Sequence, residues 1–116
     1  MTIKQVMETL DAELLTPEAD LTREVHAACG SDMMSDVLAY VKDQAVLVTG
    51  LNNPQVVRTA EMMDIHCIVF VRGKTPDAAM IALAEEHGTV LMTTEHRMFT
   101  ACGLLYAAGL RGGDEQ

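Results

Sequence analysis

Val48–Met62 reads VTGLNNPQVVRTAEM, and the order of residue types in it decides the fold. The apolar run Ala45–Thr49 leads into it and stops at Gly50. A short run that is apolar on both faces suits a strand buried in a parallel sheet. Asn53 can cap a helix, and the fixed φ of Pro54 suits a first helical turn. Val56, Val57, Ala60 and Met63 then recur at helical spacing. The segment hands a strand to a helix through a turn of glycine and asparagine.

The same handover recurs on both sides. Downstream, Ile65–Val71 is a second apolar strand. Thr75 is expected to cap and Pro76 to begin a helix, with Asp77 favoured at its positive end. Met80, Leu83 and Ala84 make its stripe, with Ile81 alongside, and Gly88 stops it. Thr89–Thr93 reads as the last strand and Glu95–Ala108 as the last helix. Upstream, Val25–Cys29 reads as a strand ended by Gly30. Ser31 or Asp32 is expected to cap a helix carrying Met33, Met34, Val37, Leu38 and Val41 on one face. Thr2 can cap a short first helix through Ile3, Val6, Met7 and Leu10, and Glu13–Leu15 allows a short strand.

Alternating strands and helices give an α/β fold, a single domain with a mainly parallel sheet of four or five strands and crossover helices. The helices are expected near residues 32–42, 54–63, 77–87 and 96–108. No linker rich in Pro, Gly or Ser divides the chain of 116 residues. Residues 1–110 therefore form one domain, and residues 111–116, RGGDEQ, read as a disordered tail.

Composition narrows the function. Hydrophobic residues make up 49% of the chain, which supports a packed core. The net charge is −9, from 17 acidic and 8 basic residues. Without clustered Lys and Arg, neither nucleic acid nor an anionic membrane is an expected partner. No apolar stretch approaches the roughly 20 residues of a membrane span. The first residues, MTIKQVMETLDAE, do not read as a signal peptide. Cys29, Cys67 and Cys102 are odd in number and widely spaced, which fits free thiols in a reducing compartment. A cytoplasmic location follows as the expectation.

The turns at the carboxyl ends of the strands differ from those at the other end. CGSD, TGLNNP, RGKTP and TTEHR are polar, and the first three contain glycine. KDQ, MD and HG, at the opposite edge, are shorter and plainer. Ligands of open parallel sheets gather at the carboxyl edge, where helix amino ends present free N–H groups. The candidate ligand-binding residues are Ser31, Asp32, Gly50, Asn52, Asn53, Arg58, Arg72, Thr93 and Thr94. Gly50 would allow a positive φ or a close approach, Asn53 would cap, and Asn52 would be free to donate to a ligand. Ordinary turn and cap chemistry accounts for many of the same residues. Neither a P-loop nor a dinucleotide fingerprint is present.

CGSDMMSDVLAYV, VLVTGLNNPQVVRTAEMMDIHCIVFVRGKTPD and MFTACGLLYAAGL together resemble the stand-alone members of the DRTGG domain family, over about Thr2 to Leu110. Related domains are attached to phosphate acetyltransferases and CBS-domain pyrophosphatases and, more distantly, precede HPr kinase. The resemblance implies an α/β regulatory or ligand-binding module that often self-associates, so a homodimer is expected. It also implies an association with iron-only hydrogenases, beside whose subunits such short members are often encoded. The motif that names the family is absent. Asn52 and Asn53, within Thr49–Gln55, stand where its Asp-Arg pair would fall.

Chemistry of other kinds has less support. Cys29, before Gly30 and a helix start, stands where a thiol pKa can fall, with His26, His66, His87 and His96 as potential bases. No histidine forms an active-site motif with it. Asp32 and Asp36 could share a helix face, though solvent is the usual neighbour of such a pair. Three scattered cysteines fall short of the four thiolates an iron–sulfur cluster commonly needs, so no cofactor and no metal are expected. The sequence thus reads as a non-catalytic module sensing a phosphate-bearing metabolite or nucleotide. The alternative is an accessory protein docking to a redox enzyme.

Overall fold

The computed structural model describes residues 1–41 and 44–113. Five strands form one sheet in the order β1-β5-β4-β3-β2. They are β1 (Glu13–Leu14), β2 (Ala27–Gly30), β3 (Ala45–Thr49), β4 (Cys67–Phe70) and β5 (Val90–Thr93). β2 to β5 pair in parallel, with Val46 beside Cys67 and Val69 beside Met92, while β1 closes the far edge antiparallel to β5. The four parallel strands and one antiparallel strand are the sheet that the alternating pattern predicts. β3, β4 and β5 are buried at every position, as expected of strands covered on both faces.

Alternation along the strands sorts the core into two layers. Leu47, Ile68, Phe70 and Leu91 face α2 (Met34–Tyr40), α3 (Pro54–Met62) and α4 (Ala78–His87). Val46, Val48, Val69 and Met92 face α1 (Ile3–Thr9) and α5 (Met98–Ala107). Each crossover from β2 to β5 therefore lies on one face, and α5 alone follows its strand onto the other.

Several helix starts follow the expected chemistry. Thr2 and Gln5 make a reciprocal capping box on α1. Asn53 caps α3 through Gln55 N, with Pro54 as the first helical residue. Gly88 ends α4 with φ 73°, a left-handed cap.

Others differ. Neither Ser31 nor Asp32 caps α2: Met33 occupies that position without a side-chain bond. Ser31 instead closes a local turn by accepting from Met33 N, and Asp32 reaches across to β3. Thr75 and Pro76 precede α4, and Asp77 caps it by accepting from Met80 N at 2.9 Å. α5 begins two residues later than expected, at Met98, because residues 94–97 carry the chain across to the other face. Within the expected tail, Arg111 bridges Ala27 of β2 and accepts from Ala28 N at 2.9 Å. Its Nη1 donates to the carbonyls of Tyr106 and Leu110, and its guanidinium stacks 3.9 Å from the Tyr106 ring. The rest of the expected disorder, at residues 114–116, lies outside the described residues. No described helix is long and apolar enough to cross a membrane.

Candidate functional site

In an open parallel sheet the carboxyl-edge crevice opens where successive helices leave for opposite faces. α4 follows β4 on one face and α5 follows β5 on the other, so that point lies between loops 71–77 and 94–97. Both loops are held together. Arg72 N donates to His96 O at 2.9 Å and Gly73 N to Thr94 O at 2.8 Å. Thr93 Oγ1 donates to Lys74 O at 2.7 Å. The zipped loops force Arg72 and Gly73 into left-handed conformations, with φ 59° and 66°. The Glu95 carboxylate lies over Gly73, where an added Cβ would stand 2.9 Å from its oxygens. Glycine thus meets both a backbone and a space requirement there.

The left-handed turn aims Arg72 back at β3. Three ionic side chains from the two flanking loops converge on Gly50: Asp32 from the loop after β2, and Arg72 and Lys74 from the loop after β4. Asp32 Oδ1 accepts from Gly50 N at 2.6 Å and from Thr49 Oγ1 at 3.3 Å. Lys74 Nζ donates to Gly50 O at 2.8 Å. A Cβ on Gly50 would stand 2.8 Å from Arg72 Nη2 and 3.3 Å from Asp32 Oδ1. Gly50 does not adopt a positive φ, so close approach is the reason for a glycine there. The groups that approach it are the protein's own. Arg72 is exposed, and among the described residues its guanidinium forms no hydrogen bond or ion pair. Lys74 and Arg72 face Asp32 at Gly50, with the Glu95 carboxylate over Gly73 between them in sequence.

The expected site residues separate on this geometry. Asp32, Gly50 and Arg72 meet. Asn53 is engaged as a cap. Asn52 is not free, because its Nδ2 donates to Thr75 O at 3.2 Å and ties the β3–α3 turn to the loop before α4. Ser31 closes its own turn at the edge of the group. Arg58 is exposed one helical turn into α3. Thr93 lies at the base of the crevice, bound to Lys74 O. Thr94 points away: it is buried and donates to Leu10 O at 2.8 Å, fastening the end of α1 to the sheet. Lys74, with Arg72 and Arg97 a cation expected in the rim turns, is placed on Gly50 O, whereas Glu95 was not among the expected residues. The signal for Glu95 lay in TTEHR, the turn after the strand that pairs directly with β4, and only the loop pairing reveals it.

Four cavities lined by described residues lie elsewhere. Three are at the amino edge, lined among others by Arg23, Glu24, Asp64, His66 and Thr89. The fourth, about 200 Å³, lies beside α5 at the β2 edge.

The thiols are not activated. Burial first, then the neighbouring Cys102 and Asp36, pushes the Cys29 thiol up, against the lowering that its position before a helix start suggested. Burial also raises Cys102, and complete burial pushes Cys67 up to about 12. Among the described residues, no three His, Cys, Asp or Glu side chains gather as a metal site. His66 pairs with Asp64 at 3.1 Å and His87 with Glu61 at 3.0 Å.

The DRTGG domain model matches residues 5–108, nearly the whole chain. The chain belongs to the DRTGG domain family. Its fold agrees with a solved member: the CBS and DRTGG domains of the regulatory region of Clostridium perfringens pyrophosphatase, crystallised with the activator diadenosine tetraphosphate. The TM-score is 0.74 at 20% sequence identity. The match covers 90% of this DRTGG chain and 45% of the pyrophosphatase chain. At that identity the likeness establishes the fold. No curated protein matches the chain by sequence.

Proposed function

We propose that this DRTGG domain is a non-catalytic regulatory module that binds a phosphate-bearing ligand, foremost a nucleotide, at the carboxyl edge around Gly50. The observation that carries the reading is the convergence of Arg72, Lys74 and Asp32 on one glycine, with the Arg72 guanidinium uncommitted. Asp32 already places an anionic oxygen on the Gly50 N–H. A ligand phosphate would take that place and pair with Arg72, a planar donor suited to phosphate. The distant neighbour that binds diadenosine tetraphosphate supports the ligand class.

The reading gives Asp32 and Arg72 opposite signs. In a thermal-shift screen of mono-, di- and polyphosphate nucleotides and acyl phosphates, a ligand at 100 times its Kd adds about 2.7 kcal/mol of stability. Arg72→Ala should weaken the binding of a ligand so found, and Asp32→Ala, which removes the competing carboxylate, should tighten it. Equal binding by the parent and both variants would refute the site. The alternative, docking to a redox enzyme such as an iron-only hydrogenase, would use helix faces and produce no ligand-dependent shift.

A further inference from the structure

Residues 15–23, on the way from β1 to β2, are fastened at both ends. Leu15 N donates to Leu91 O at 2.9 Å and Thr16 Oγ1 accepts from Leu91 N at 3.2 Å, which fixes one end to β5. Lys4 N donates to Leu21 O and Ile3 N to Arg23 O, both at 3.0 Å, which fixes the other end to α1. A hollow of about 200 Å³ is left between this connector and the turn from α4 into β5. A Cβ added at Gly88, in that turn, would meet nothing within 4 Å. The hollow lies at the amino edge, at the far end of β5 from the loops around Gly50.

Its walls hold polar groups with nothing to bind. Thr89 lines it and is 2% exposed, yet among the described residues its hydroxyl makes no hydrogen bond. A buried hydroxyl left unpaired is costly, and at a cavity wall it points to an occupant. Thr16 is 1% exposed and lines the same hollow. Its oxygen accepts from Leu91 N, but its proton has no acceptor among the described residues. Around these hydroxyls stand Arg23 and the carboxylates of Glu18, Asp20 and Glu85. Asp20 is already engaged: Thr22 donates to it from Oγ1 at 2.6 Å and from N at 2.9 Å. Those bonds, and more weakly the charge of Arg23, hold its carboxyl below the usual range. Glu18, Glu85 and Arg23 are exposed, and among the described residues their side chains form no hydrogen bond or ion pair.

This set of charges selects its ligand. A simple anion on Arg23 would meet the carboxylates, and a simple cation among the carboxylates would meet Arg23. A zwitterion satisfies both signs at once. It carries no net charge, so the −9 of the chain does not oppose its approach. Size argues the same way. Drug-sized ligands occupy roughly 300–1,000 Å³, so a hollow of about 200 Å³ suits something smaller than a nucleotide.

We propose that the amino-edge hollow is a second binding site, for an α-amino acid with a polar side chain. Its carboxylate pairs with Arg23, its ammonium with Glu18 and Glu85, and its side chain bonds to the Thr16 and Thr89 hydroxyls. The inference is independent of the carboxyl-edge site, which shares none of these residues.

Titration of the full chain with each of the protein L-amino acids, followed by calorimetry and by amide chemical shifts, tests it. At least one polar amino acid should bind one to one with a Kd of about 1 mM or tighter, shifting the amides of Thr16, Arg23 and Thr89. Arg23→Ala and Glu85→Gln should each raise that Kd about tenfold or more, the effect of losing a hydrogen bond to a charged group. Both residues are exposed, so the far-UV circular dichroism of the variants should match the parent. The amine and the acid that lack one of the ligand's two charges should each bind about tenfold more weakly or worse. Four results would each overturn the proposal: no binding at millimolar concentration, which leaves the hollow to water; an unchanged Kd in either variant; equal binding of the amine or the acid; or shifts centred on the Gly50 loop.

Discussion

Gly30→Ala tests how closely α5 sits on the edge strand. Gly30 ends β2, and a Cβ there would stand 2.6 Å from Cys102 Sγ and 3.2 Å from Met98 Sδ. The backbone at Gly30 is not in the left-handed region, so the whole cost lies in contact. Met98 is flexible and can yield. Cys102 Sγ is a single bond from its Cβ on a helix fixed against the sheet, so relief requires a rotamer change or a helix shift. Overpacking of this kind costs about 1–3 kcal/mol. Replacing glycine also restricts the unfolded chain, which returns about 0.4–1 kcal/mol. The net expectation is a destabilisation of about 1 kcal/mol. In urea titrations at fixed protein concentration this moves the midpoint down by roughly 0.3–1 M, for an m-value of about 1–3 kcal/mol/M. The decisive measurement is the double-mutant cycle. In a Cys102→Ala background the clash is gone, so Gly30→Ala should become neutral or stabilising by about 0.5 kcal/mol. The same destabilisation in both backgrounds would refute the close approach of α5 to β2.

Two further outcomes follow from single side chains. Asn53→Ala removes the acceptor for Gln55 N at 2.9 Å and should cost about 1 kcal/mol in the same titrations, with Asn53→Asp close to neutral. Cys67, raised from 9.0 to about 12, stays protonated in the folded chain at pH values where the unfolded chain has lost that proton. Its contribution is fully present below pH 9 and falls by up to about 1.4 kcal/mol per pH unit between 9 and about 12. Cys67→Val should flatten the stability profile over that window, and iodoacetamide at pH 8 should modify Cys67 only in denaturant.

The order of elements was legible because it rests on local chemistry. The run of Ala45–Thr49, the cap at Asn53 and Pro54, and the stop at Gly88 each specify their surroundings within a few residues. The site was legible only in part. The Gly50 loop, Asp32 and Arg72 carry signals in their own turns, but the partner of each lies in another loop. Asn52 looked free because its acceptor, Thr75 O, is 23 residues away. Thr94 looked like Thr93, yet adjacent residues at a strand end point to opposite faces, and Thr94 was taken by Leu10 O, 84 residues away. The position of Glu95, and the contact of the rim cation Lys74 with Gly50, were not legible for the same reason: they depend on β4 and β5 being neighbours with their loops bonded together. Cys29 shows how a local rule fails when its helix starts late. With Met33 as the cap, the amino end of α2 is displaced from the thiol, and burial dominates.

The distribution of charge limits how any polyanion could be recognised. Four of the eight basic residues, Arg58, Arg72, Lys74 and Arg97, lie at or near the carboxyl edge, while the chain as a whole is at −9. A phosphate ligand therefore approaches against the field of the whole protein, and long-range steering does not help it. At physiological ionic strength the screening length is about 8 Å, so distant carboxylates fade while a guanidinium in contact does not. On the proposed reading, recognition would come from contact geometry: the Gly50 N–H, the Arg72 fork, and Lys74 held on Gly50 O. Asp32 fits this scheme. Left without any acceptor, the Gly50 N–H beside two cations would favour any small anion that reached it. A carboxylate supplied by the chain itself satisfies the N–H and offsets one of the two charges. Only a ligand with several charges, or one that also gains contacts beyond the Gly50 N–H, has enough advantage to displace it. That requirement favours a nucleotide over inorganic phosphate, and it derives specificity from the chain's own competing group without a deep pocket.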